Sequence, residues 1–90
     1  MSTLTVTLTD VDGEPMLDSE AMALLFGVRT EDVRALPTVN GVSTIPREWV
    51  KRGRQRTREA MAHTGSDFII DGLRYWARRD HNAELEVIYR

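Results

Sequence analysis

From Ile45 to Arg58 the chain reads Ile-Pro-Arg-Glu-Trp-Val-Lys-Arg-Gly-Arg-Gln-Arg-Thr-Arg, and no other stretch restricts the fold as strongly. Pro46 suits a first helical turn, where its missing N–H loses no hydrogen bond and its fixed φ is already helical. No proline follows it. At helical spacing, Arg47, Lys51, Arg54 and Arg58 fall at i, i+4, i+7 and i+11, along one side. Trp49, Gly53, Thr57, Ala60 and Thr64 take the other side, flanked by Val50 and Met61. The pattern predicts an amphipathic helix over 46–64 with a cationic back and an apolar front. Arg56 projects onto the apolar side, so it must snorkel or find a partner.

Two readings of the cationic stripe compete. Arginine and lysine are good helix formers that belong in water, so the stripe can be an ordinary solvated surface. Against this, its members repel one another at i,i+3 and i,i+4, with Glu48 the only acid before Glu59. A helix that tolerates such repulsion often faces a polyanion, either nucleic acid or an acidic protein surface.

Ninety residues are enough for one domain with a modest core, here taken as 1–90. The chain has no cysteine, which excludes a disulfide framework, a thiol nucleophile and a cysteine zinc site. No apolar run approaches the roughly 18 residues of a membrane span, and no signal-like segment opens the chain. The expectation is a cytoplasmic protein with no membrane partner. A net charge of −2 argues against bulk non-specific DNA binding, but the charge is unevenly placed. Residues 1–36 hold Asp10, Asp12, Glu14, Asp18, Glu20, Glu31 and Asp32 against Arg29 and Arg34. Residues 47–58 hold Arg47, Lys51, Arg52, Arg54, Arg56 and Arg58 against Glu48. For a binding surface the patch matters more than the total.

Thr3 to Thr9 alternates threonine with Leu or Val, a period-2 strand. Asp12-Gly13 is favoured in a two-residue hairpin turn, and Glu14 to Leu17 can return as a short strand that Pro15 confines to an edge. Residues 1–16 are thus a strand or hairpin. Asp18 or Ser19 caps a helix through Phe26, and Gly27 offers a left-handed stop. Thr30 is the expected cap of a second short helix, with Glu31 and Asp32 at its positive end, Val33 and Leu36 facing inward and Pro37 ending it. Helix, glycine stop, short turn and recapped helix form a helix-turn-helix outline, although a plain helical hairpin has the same spacing. Asn40-Gly41 between valines is a strong hairpin signal.

Residues 17–50 carry Leu17-Asp18-Ser19-Glu20-Ala21-Met22-Ala23-Leu24-Leu25-Phe26-Gly27-Val28, then Thr30-Glu31-Asp32-Val33-Arg34, then a glycine hairpin closing on Ile45-Pro46-Arg47-Glu48-Trp49-Val50. This series resembles the winged helix-turn-helix domains of the excisionase and MerR type. The resemblance covers a little over a third of the chain. It implies double-stranded DNA as partner, with Arg29, Thr30 and Arg34 near the major groove and the 39–44 wing beside them. In this chain the wing holds no Arg or Lys, and the cations lie on the helix that follows it.

Ser66 is the expected cap of a C-terminal helix within 66–82, with its body from Phe68 to about His81. Ile69, Ile70, Leu73, Trp76 and Ala77 form its apolar arc, widened by Phe68, Gly72 and Tyr75. So wide an arc is buried on more than one side, either within the core or at a homodimer seam. Residues 84–89 alternate as a last strand, whose acids can pair with the N-terminal threonines within one chain or between two. Trp49 and Trp76 are both expected to be largely buried.

Catalytic chemistry has little support. His63 and His81 are isolated, Ser19 and Ser66 are cap residues with no base nearby in sequence, and no phosphate-cradling glycine loop occurs. No enzyme activity, cofactor or metal is expected. The reading is an α+β, small winged helix-turn-helix-like domain with terminal β-strands and an extra C-terminal helix. Its expected function is DNA binding, as a transcriptional regulator or an excisionase-like recombination accessory. The nucleic-acid-binding candidates are Arg29, Thr30, Arg34, Arg47, Lys51, Arg54 and Arg58. The alternative is a phage- or plasmid-encoded interaction module that uses the same scaffold on a host protein.

Overall fold

A computed structural model describes residues 2–39 and 42–90. The fold is α+β. Strand β1 (Ser2–Val11) turns through Asp12 and Gly13 into β2 (Glu14–Leu17), with Val11 opposite Glu14. Both turn residues have positive φ, 53° and 84°, the backbone that a two-residue hairpin demands and that Asp-Gly tolerates. The last strand, β5 (Ala83–Tyr89), lies parallel to β1, with Thr3 beside Glu84 and Thr5 beside Glu86. The threonine–glutamate pairing is therefore made within one chain. Sheet order is β2-β1-β5, which leaves Pro15 on an edge strand.

Between β2 and β5 lie α1 (Ser19–Phe26), α2 (Thr30–Arg34), the short antiparallel pair β3 (Thr38–Val39) and β4 (Val42–Ser43), α3 (Arg47–Thr64) and α4 (Ile69–His81). Helix, helix, ribbon and helix follow in winged helix-turn-helix order. The Asn40-Gly41 turn lies outside the described residues. Asp18 clips α1 onto the sheet: one carboxylate oxygen accepts the Ala21 N–H at 2.9 Å, the other the Thr7 N–H at 2.8 Å. Gly27 ends α1 with φ 69°, as its position suggested.

Alternation along β1 puts Val6 and Leu8 inside and leaves Thr3 and Thr5 in water. Val6 packs with Ala21 and Leu24 of α1, Ala60 of α3, and Leu73, Trp76 and Ala77 of α4. The middle of the wide α4 arc is thus consumed inside the chain. Its start is not: Phe68 is 75% exposed. Among the described residues no helix is long and apolar enough to cross a membrane, and no group of three or more His, Asp or Glu could hold a metal ion.

Three local expectations need adjusting. Arg29, not Thr30, holds the cap position of α2, and Thr30 is the first helical residue. Ser66 stands two residues before the cap position of α4, held by Phe68; its hydroxyl accepts the Phe68 N–H at 3.2 Å and donates to Asp71 at 2.7 Å. Trp49 is only half-buried, because it covers Phe26 from the rim, ring centroids 6.1 Å apart, rather than entering the Leu73–Trp76 centre.

Candidate nucleic-acid interface

What α3 shows to water depends on how its inner face is held. Gly53 permits the close approach to α1: a Cβ there would stand 3.0 Å from the Phe26 ring. Arg56 then sets the rotation. Its Nε and Nη2 donate to the Leu24 carbonyl at 3.1 and 2.7 Å, and Nη2 also donates to Asp80 at 2.8 Å. The guanidinium lies 3.7 Å from the centre of the Trp76 ring, and the Trp76 indole N–H donates to the Arg56 carbonyl at 3.1 Å. Leu24 lies in the last turn of α1, whose carbonyls lack helical partners and carry negative dipole charge. Arg56 therefore caps α1 from another helix.

This arrangement gives Arg56 the partner its position required. It also rotates the inner face relative to the sequence reading. Gly53 and Ala60 are buried with the Arg56 stem, while Thr57 and Thr64 are exposed and return their hydroxyls to the carbonyls of Gly53 and Ala60. With positions 49, 53, 56 and 60 inward, helical geometry sends 47, 51, 54 and 58 nearly opposite. Arg47, Lys51, Arg54 and Arg58 are all exposed, and among the described residues none of them joins an ion pair. They border a shallow depression of about 510 Å³ that Val50 and Gln55 also line. Arg47 to Arg58 spans roughly 16 Å at 1.5 Å rise per residue.

The cations of α2 are placed differently. Arg29 meets Asp32 with guanidinium–carboxylate distances of 3.3 and 3.4 Å. Hydrogen bonding from Arg29 holds the Asp32 carboxyl below its usual range, and the same bond raises the Arg29 value. Arg34 donates to Glu20 on α1 at 2.8 Å. Thr30 is half-exposed between them. The seven candidate residues thus fall into a stripe on α3 and a group at α2 whose two arginines already hold acids.

Two features were not visible in the sequence. Glu59 on α3 accepts from Tyr75 at 3.1 Å and from Arg79 at 2.7 Å, with His63 stacked on the Tyr75 ring. The second is an apolar groove of about 240 Å³ between α3 and the start of α4, bordered by Leu25, Met61, Phe68 and Ile69. Spacing on α4 marked its apolar residues but not where α3 would stop covering them.

No protein-family model, curated protein or solved structure matches the chain. Likeness to winged helix-turn-helix domains rests on the motif residues and the order of elements.

Proposed function

We propose that this is a small protein that binds double-stranded DNA, as a transcriptional regulator or an excisionase-like recombination accessory, and that α3 grips the phosphate backbone. One observation carries the reading. The pairs Arg29–Asp32, Arg34–Glu20, Arg56–Asp80 and Arg79–Glu59 are closed, whereas among the described residues the exposed α3 stripe joins no ion pair. Over the length of the stripe one strand of B-DNA presents about five phosphates, at 3.4 Å of axial rise each. Base-edge readout by Arg29, Thr30 and Arg34 requires the two arginines to exchange Asp32 and Glu20 for bases. No catalytic step is assigned to the chain.

Fluorescence anisotropy on a labelled duplex tests this reading. Wild type should bind at low salt, and a variant with Gln at 47, 51, 54 and 58 should lose at least about a hundredfold in affinity. Absence of binding to any duplex at low salt would end it. The groove beside Phe68 then supports the second reading, a module that docks an apolar segment of a host protein there.

A further inference from the structure

Strand β5 has one partner. It ends the sheet, and among the described residues no strand pairs with its outer edge. The direction of its backbone groups follows from two bonds. The Arg90 N–H donates to the Leu8 carbonyl at 2.9 Å, and the Asp10 N–H donates to the Arg90 carbonyl at 3.1 Å. Arg90 therefore turns both backbone groups toward β1. In an unbroken parallel register, Ile88, Glu86 and Glu84 do the same. The N–H and C=O groups of Ala83, Leu85, Val87 and Tyr89 consequently point away from the sheet. Side chains agree with an open edge: Val6 on the central strand is fully buried, while its neighbour Val87 is only half-buried and Tyr89 is 67% exposed.

We propose that a second copy of the chain pairs here, β5 against β5 in antiparallel sense about a twofold axis at Val87, joining two three-stranded sheets into one. Charge selects the occupant and the register. An axis at Val87 sets Glu84 opposite the second copy's Arg90, and Glu86 opposite its Ile88. Val87 then exchanges hydrogen bonds with its own counterpart, and Leu85 does so with the second copy's Tyr89. Each outward backbone group from Leu85 to Tyr89 gains a partner, and the exposed Tyr89 ring lies across from Leu85. Registers displaced toward the start of the strand are worse: an axis at Glu86 sets that carboxylate against itself, and an axis at Leu85 sets Glu84 against Glu86. An axis at Ile88 would pair Glu86 with Arg90 instead, and Glu84→Arg tells the two apart. Opposite charges attract across strands and like charges repel, so the strand is complementary to itself in the Val87 register.

Sedimentation equilibrium of the full chain without DNA tests this independently of the nucleic-acid reading. A monomer–dimer equilibrium is expected at micromolar concentrations. Glu84→Arg and Arg90→Glu should each raise the dimer Kd by about tenfold, since each change affects two symmetry-related pairs. The double variant should return Kd toward wild type. Val87→Pro should leave only monomer with an unchanged circular dichroism spectrum, because that N–H points away from β1 and has no partner among the described residues. A monomer at every concentration would overturn the proposal. So would a dimer indifferent to both charge reversals, a dimer abolished instead by Phe68→Ser, or a monomeric chain whose edge captures an unrelated extended peptide.

Discussion

Helices α2 and α3 both carry exposed cations, but only one set is electrically available. On α2, Arg29 and Arg34 each hold a carboxylate, supplied by Asp32 one turn on and by Glu20 across the helix pair. On α3 the four cations of the stripe have no ion-pair partner among the described residues, while the inward Arg56 donates to the Leu24 carbonyl and to Asp80. A polyanion meets the charge left after internal pairing, not the count of arginines. The helix that resembles a recognition helix is therefore the weaker electrostatic surface, and the helix after the wing is the stronger one.

The largest expected effect bears on whether α3 is held in register at all. Trp76 lies beneath the Arg56 guanidinium and is 6% exposed, so Trp76→Ala should cost about 3–5 kcal/mol in urea unfolding. Half-buried Trp49 should cost less. Next comes a contrast within one helix. Arg56→Met removes charged hydrogen bonds to the Leu24 carbonyl and should cost about 2–3 kcal/mol. Arg54→Met, on the outer face, should stay within about 0.5 kcal/mol. Equal costs would mean that the two faces are misassigned.

Smaller effects test α2. With Glu20 holding Arg34, Arg34→Ala should change DNA affinity by less than about 0.5 kcal/mol, and Glu20→Gln should raise it slightly. A loss of about 1–3 kcal/mol confined to one base position would instead show that the pair opens on binding and that α2 reads sequence. Acidity gives the smallest effect. Hydrogen bonding from Arg29 depresses the Asp32 value, so that contribution is complete above the ordinary carboxylate pKa of about 4 and is lost only as pH falls through the lower folded value. The affinity gained by Asp32→Asn should therefore be constant between about pH 5 and 8 and shrink only in stronger acid.

Local patterns made most of the elements legible. Threonine alternation, Asp12-Gly13, Asp18, Gly27 and Pro46 each act within a few residues, so β1, its hairpin, α1 and the start of α3 could be placed from sequence. The stripe was legible for the same reason, since helical spacing alone defines it. Pairing across the chain was not. Neither the Glu20–Arg34 pair nor the Leu24 carbonyl beneath Arg56 leaves a periodic trace, because each depends on how α1 meets α2 and α3. The parallel choice for β1 and β5 was hidden as well, as alternating residues suit either sense. Phe68 was legible as apolar but not as exposed, since that depends on where the inner face of α3 ends.

The central claim is that α3, rather than α2, supplies the phosphate contacts. Its most direct test is the salt dependence of duplex affinity as Arg47, Lys51, Arg54 and Arg58 are replaced by Gln one after another. Four contacts predict a log–log slope of roughly −3 to −4 per protomer that flattens by about 0.9 at each step, with equal losses on unrelated sequences. Wild-type slope retained in the fourfold variant, or a slope flattened by Arg29→Ala and Arg34→Ala instead, would contradict it.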